Sequence, residues 1–242
     1  MVSSITLKNL IIGYHSKHQL RAIASPVHAS LQAGELTCLI GANGVGKSTF
    51  LRTFALSDFS AQELAREISI VLTSKTDHAQ LSAEEIVGIG RSPYTGFWGT
   101  LSTADKQIVA SALQETGIQH LAQRNISELS DGERQKVMIA KALAQQTRII
   151  ILDEPTAFLD FPSKIETLQM LRRLAHEQHK SILLSTHDVE LALQLSDRLW
   201  LMEESRFSIG TPKELAADGS LSRFINRDGI RFNKDSLRIE IK

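Results

Sequence analysis

The stretch GANGVGKS at 41–48 follows the apolar run LTCLI at 36–40 and leads into TFLRTFA, which can open a helix. Its spacing is G-x-x-x-x-G-K-[ST] in the order strand, loop, helix. Few folds satisfy that order, because a buried strand must end in a glycine turn whose amides face an anion. Gly44 and Gly46 let successive amides curl around phosphate oxygens. Lys47 is placed to neutralise the β and γ oxygens, and the Ser48 hydroxyl to ligate Mg²⁺.

The rest of the chain is patterned for an α/β core around such a loop. ELTCLIG (35–41), ISIVLT (68–73), RIIILDEP (148–155) and SILLST (181–186) are continuous apolar runs rather than alternating ones. That is the pattern of parallel strands covered on both faces. Between them, 132–146 puts Met138 with Ala142 and Ile139 with Leu143 on shared helical faces, and 163–178 groups Ile165, Leu168, Leu171 and Leu174. The N-terminal SITLKNLIIGY alternates, which predicts an antiparallel layer. After the core, RLWLMEESRFSIG reads as a hairpin, TPKELAADGSLSRFI as a short helix and GIRFNKDSLRIEIK as two terminal strands.

Charge and composition narrow the partners. Lys plus Arg and Asp plus Glu each number 27, so no global positive field exists to hold nucleic acid or an anionic membrane surface. The 242 residues, 42% hydrophobic and 22% charged, suffice for one large domain or a domain plus a lobe. The single cysteine, Cys38, excludes an internal disulfide and reads as a small core residue. No apolar stretch approaches a membrane span, and the first residues lack the features of a signal peptide, so membrane contact is expected through a partner.

Three further stretches carry chemistry. Asp153, at the end of IIIL, is placed to reach the magnesium, and Glu154 beside it to orient or deprotonate an attacking water. His187 ends another apolar run on the side where P-loop folds bind nucleotide, which makes it a candidate γ-phosphate contact. LSDGERQKV (129–137) places Ser130 and Glu133 in the spacing of a reciprocal helix cap, with Gly132 allowing close approach to the backbone. A helix start attracts anions, yet the chain already has a phosphate loop.

Taken together, these motifs resemble the ATP-binding cassette (ABC) ATPases from about Ile5 to about Leu215. GANGVGKST matches the P-loop, LSDGERQKV the family signature, IIILDEP the Mg²⁺ and general-base strand, FLD at 158–160 the D-loop, and STHD the switch histidine. The resemblance implies a P-loop NTPase core with a small antiparallel β lobe and an inserted helical signature lobe at about 82–146, with residues 216–242 as a short extension on the same domain. It assigns Gly41, Ala42, Asn43, Gly44, Val45, Gly46, Lys47, Ser48 and Thr49 to ATP, with Tyr14 stacking on adenine. Ser48 and Asp153 would ligate Mg²⁺, while Glu154, His187 and Lys47 carry hydrolysis. In the family two copies pair head to tail, so Ser130, Gly132, Glu133 and Asp160 would serve the partner copy's ATP.

The segment containing GRSPYTGFWGTL looks like importer cassettes for iron-siderophore, haem or cobalamin-type substrates. That implies integral membrane permease subunits as partners, a substrate-binding protein acting indirectly, and a place on the cytoplasmic face of the cell membrane. The rival class is a soluble ABC ATPase acting on DNA or ribosomes. Such relatives typically carry a coiled-coil insertion or two cassettes, whereas this chain has one cassette, no heptad run and zero formal net charge. Three departures from the family pattern stand out. Thr73, followed by Ser74, replaces a glutamine; Asp131 replaces a glycine and is expected to point outward; and the segment from 50 to 68 is too short for the usual β-hairpin, though LSDFSAQELARE can supply a helix.

Overall fold

The computed structural model describes residues 5–10, 13–16, 19–22, 27–54, 61–72, 80–204 and 206–241. They fall into two units, Met1–Leu56 with Leu171–Lys242, and Ser57–Met170. In chain order the first unit holds β1 (Ile5–Leu10), β2 (Gly13–Ser16), β3 (Gln19–Ala22), β4 (Val27–Leu31), β5 (Leu36–Gly41) and α1 (Lys47–Phe54). The second holds α2 (Ala61–Glu67), β6 (Ile68–Val71), α3 (Ala83–Ile89), α4 (Thr103–Glu115), α5 (Asp131–Ala144), β7 (Ile149–Leu152) and the start of α6 (Phe161–Gln178). The chain then completes the first unit with β8 (Ser181–Thr186), α7 (Val189–Leu195), β9 (Arg198–Met202), β10 (Phe207–Gly210), α8 (Pro212–Ala217), α9 (Ser220–Ile225), β11 (Ile230–Asn233) and β12 (Arg238–Ile241).

In the first unit the alternating N-terminal pattern becomes antiparallel pairs, β1 with β4 and β2 with β3. The continuous apolar runs become a layer ordered β10, β9, β5, β8, in which β5 is parallel to both neighbours and β10 antiparallel to β9. Every residue of β5 and β8 is buried, as expected of strands covered on both faces. Aromatic packing fixes α1 to this layer: Phe50 meets Trp200 edge to face at 5.7 Å and stacks on Phe207 at 5.4 Å. The β5 end is anchored by Asp197, whose carboxylate accepts from Leu36 N at 2.8 Å and meets Arg172 and His176.

The second unit pairs β6 parallel to β7, with Val71 opposite Leu152. All four residues of β7 are buried, but Ile70 on β6 is 42% exposed, so cover on both faces fails at this edge strand. Helix α2 is the helix expected within LSDFSAQELARE (56–67). Helices α3, α4 and α5 pack together, and Gly90 is required there because a Cβ would lie 2.3 Å from Lys141 O. Three of the unit's helices begin with reciprocal caps, at Ser82 with Glu85, Ser102 with Asp105 and Ser130 with Glu133.

The C-terminal segment departs from expectation in one respect. TPKELAADGSLSRFI forms two short helices, α8 and α9, because Gly219 at φ 80° turns the chain out of helical geometry between them. The two predicted terminal strands, β11 and β12, pair antiparallel. No described helix is long and apolar enough to cross a membrane.

Candidate nucleotide site

Register explains the geometry of the P-loop. Ile40 on β5 lies opposite Thr186 on β8, so the next residues, Gly41 at the end of β5 and His187 just past β8, lie side by side. On the other flank Gly41 lies opposite Met202, and a Cβ at 41 would sit 2.6 Å from Met202 O. The turn passes through positive φ at Gly44 (79°) and Gly46 (104°), conformations that cost glycine little. The loop closes onto α1 through Phe50 N donating to Gly46 O at 2.8 Å.

Lys47 is 6% exposed, and its ammonium donates to Gly41 O at 2.9 Å and Ala42 O at 3.2 Å. His187 Nδ1 lies 3.5 Å from the same nitrogen. Helix α1 has no acidic residue in its first turn, so nothing within that turn offsets the positive end of its dipole. An oriented buried ammonium, a turn through two positive-φ glycines and a helix start with no acid of its own are the donor set that a polyphosphate takes. Ser48, on the first turn of α1, adds a hydroxyl to it.

The second unit carries the remaining groups. Asp153 leaves β7 with its amide donating to Val71 O at 2.8 Å and is 8% exposed. Glu154 has φ 49°, a left-handed conformation that costs a side chain roughly 1–3 kcal/mol and that clusters at functional sites. Among the described residues no group of three or more His, Cys, Asp or Glu side chains gathers as a metal site. Mg²⁺ needs none, since it keeps waters and phosphate oxygens and takes one or two protein oxygens.

Ser130 caps α5 as its spacing predicts. Its Oγ accepts from Glu133 N at 3.3 Å, and Glu133 Oε2 accepts from Ser130 N and Oγ, each at 2.8 Å. These bonds hold the Glu133 carboxyl below its usual range. Asp131 points outward, exposed and paired with Arg134 at 3.2 Å. At Gly132 a Cβ would meet nothing closer than Ser163 Oγ at 3.8 Å and Leu159 Cδ2 at 3.9 Å, ordinary contacts both. Its own chain therefore does not require glycine there. Asp160 accepts from Ser163 N at 3.2 Å, and bonds from Ser163 lower its pKa, so the D-loop carboxylate also caps α6.

Tyr14 lies on β2 opposite Arg21, and its side chain is outside the described set; so are Thr73 and Ser74. Sequence reasoning missed one buried group, Arg91, which pairs with Asp105 at 2.8 Å and reaches the end of α5. The three-residue spacing of Ser102 and Asp105 was its available signal.

A family model described as ABC transporter matches residues 24–157. The chain is 36% identical over 211 residues to the iron(3+)-hydroxamate import ATP-binding protein FhuC of Bacillus subtilis (strain 168), covering 81% of this chain and 77% of that one. It is 30% identical over 239 residues to the ferric enterobactin transport ATP-binding protein FepC of Escherichia coli (strain K12), covering 92% and 87%. Among solved structures it is similar to cbiO1 from Clostridium perfringens, part of the ABC transporter complex cbiONQ, with TM-score 0.76 at 27% identity over 90% of this chain and 92% of that one. With the P-loop, the signature, Asp153 and Glu154 all inside the matched residues, the chain belongs to the ABC transporter family, among its ATP-binding proteins.

Proposed function

We propose that this ABC-type ATPase energises an importer of iron-siderophore, haem or cobalamin-type substrates. It works as a head-to-tail pair of copies beneath integral membrane permease subunits at the cytoplasmic face of the cell membrane. The relatives named for iron(3+)-hydroxamate import and ferric enterobactin transport support the iron-siderophore part of this reading. The observation that carries the paired arrangement is Gly132, a helix-start glycine for which the chain's own packing gives no reason. Room at that point suits a phosphate brought by another copy, and the amides of the first turn of α5, beside the exposed Ser130 cap, are the donors such a phosphate takes.

In the first unit Lys47 and the P-loop amides hold the β and γ phosphates, Ser48 supplies a magnesium oxygen and Tyr14 stacks on adenine. His187 is aimed by its register beside Gly41. In the second unit Asp153 supplies the other magnesium oxygen, and Glu154 takes the proton of the attacking water. When bound, Mg²⁺ neutralises charge that develops on the phosphate oxygens. Ser130 and Gly132 serve the partner copy's nucleotide, and Asp160 lies at the contact between copies.

Glu154→Gln keeps the side-chain shape but removes the base, so hydrolysis falls roughly 10²–10⁴-fold while both phosphate cradles persist. ATP-bound pairs then accumulate. Adding Ser130→Arg fills the entry to the signature and abolishes pairing while nucleotide binding at the P-loop survives. Size-exclusion chromatography with light scattering in Mg-ATP reads this directly. A Glu154→Gln protein that stays monomeric at high concentration, or a double variant that pairs as well as the single one, overturns the composite site.

A further inference from the structure

Arg91 lies at a junction that neither the P-loop nor the signature accounts for. It is 5% exposed, and Nε and Nη1 of its guanidinium are engaged by groups from different elements. Nε donates to Asp105 Oδ1 at 2.8 Å on the first turn of α4, and Nη1 donates to Ala144 O at 2.8 Å and Gln146 Oε1 at 2.9 Å at the end of α5. The Tyr94 ring stands 4.1 Å from the guanidinium carbon, and Tyr94 OH donates to Gln145 O at 3.1 Å. Gln145 in turn donates to Ala65 O and Ile68 O, which ties the end of α5 to the start of β6. Three residues beyond Tyr94 the loop exposes Phe97 and Trp98, 96% and 88% accessible, as an edge-to-face pair with ring centroids 5.5 Å apart.

A buried arginine with a planar fork fixes direction as well as distance, which a lysine cannot do. The carbonyl end of α5 is therefore held by the segment that presents Phe97 and Trp98, and the other end of the same helix carries Ser130 and Gly132. A helix of 14 residues is a stiff rod about 21 Å long, so an angle set at one end is delivered to the other. Exposed aromatics on a well-anchored loop are the anchors that protein partners bury.

We propose that Arg91 is a positioning residue that joins the Phe97–Trp98 loop to α5 and so sets the direction in which Ser130 and Gly132 face. This rests on the paired-copy reading for what the signature does, but the joint itself is a property of one chain.

Two measurements separate the joint from that reading. Spin labels at Thr100→Cys and Glu128→Cys, both exposed positions, report the distance distribution between the loop and the start of α5 by double electron-electron resonance. Steady-state ATPase assays report kcat and KM. Arg91→Met should broaden the distribution and lower kcat about 10-fold to 100-fold while KM moves less than about twofold, since misdirection of a phosphate-binding group costs turnover rather than P-loop binding. Arg91→Lys, which keeps the charge but loses the fork, should lie between Arg91→Met and the unsubstituted protein in both measurements, and Tyr94→Phe should broaden the distribution slightly. If Arg91→Met does not fold, Arg91→Lys and Tyr94→Phe decide the matter. An unchanged distribution in the folded variants overturns the joint. A broadened distribution with unchanged kcat overturns its role in directing the signature. Failure of Glu154→Gln to pair, with the distribution still dependent on Arg91, indicts the composite site alone.

Discussion

Lys47 Nζ and His187 Nδ1 lie 3.5 Å apart although 140 residues separate them in the chain. An ammonium has no lone pair, so this contact uses Nδ1 as acceptor and leaves the other ring nitrogen, Nε2, as the N–H donor. The P-loop lysine thereby helps orient a donor that β8 has brought level with Gly41.

If His187 donates to the γ-phosphate, as proposed, His187→Ala should leave nucleotide affinity within about threefold, because Lys47 keeps its two carbonyl partners, and reduce turnover about 10²-fold. Fluorescent-nucleotide titration beside a phosphate-release assay checks both. An equal loss of affinity and turnover would make His187 a ground-state binding group instead.

Burial pushes the Cys38 thiol up to about 12, with a Ser196 hydrogen bond opposing it in part. The thiolate that alkylating reagents need is then absent from the folded protein at pH 8. Iodoacetamide should leave native protein unmodified under conditions that label it completely in urea, as intact-mass measurement would show. Cysteines introduced at 100 and 128 can consequently be labelled without removing Cys38.

Asp105 is held at about 2 by the Ser102 hydroxyl, then by Arg91 and the Ser102 amide. A carboxyl depressed in the folded state stabilises it above the ordinary value of about 4, and that contribution disappears as pH falls towards 2. Asp105→Asn should thus be less stable than the unsubstituted protein by a constant margin from pH 5 to 8, with the two converging between about pH 4 and pH 2. Urea unfolding at stepped pH measures the difference. A margin that persists at pH 2 would assign the effect to packing rather than charge.

What the sequence made legible was the local grammar. The P-loop spacing, the Ser130 to Glu133 cap, the outward Asp131 and the continuous strands all depend on neighbours within a few residues. Long-range effects were hidden. Gly219 ends a helix that periodicity alone would continue, Ile70 faces solvent because β6 is an edge strand, and Arg91 meets the end of α5 at Ala144, 53 residues away. The positive φ of Glu154 is also invisible to pattern, since the residue type does not favour it.

Gly90 and Gly132 provide the last contrast. At 90 a methyl group would lie 2.3 Å from Lys141 O, and backbone cannot rotate away as a side chain can, so Gly90→Ala should cost about 1–3 kcal/mol in unfolding free energy. At 132 the same methyl group meets only ordinary contacts on the first turn of α5, where alanine is the better helix former, so Gly132→Ala should be neutral or stabilising by up to about 1 kcal/mol. Its ATP affinity as a monomer should be unchanged. If the space above Gly132 is kept for a phosphate held by another copy, the substitution should nevertheless lower ATPase turnover about 10²-fold and weaken ATP-driven pairing of the Glu154→Gln protein. Denaturant titration, nucleotide binding and light scattering on the same preparations separate these effects. Full activity in a stable Gly132→Ala protein would mean that no ligand comes that close to the start of α5, and the signature would then be only a capped helix.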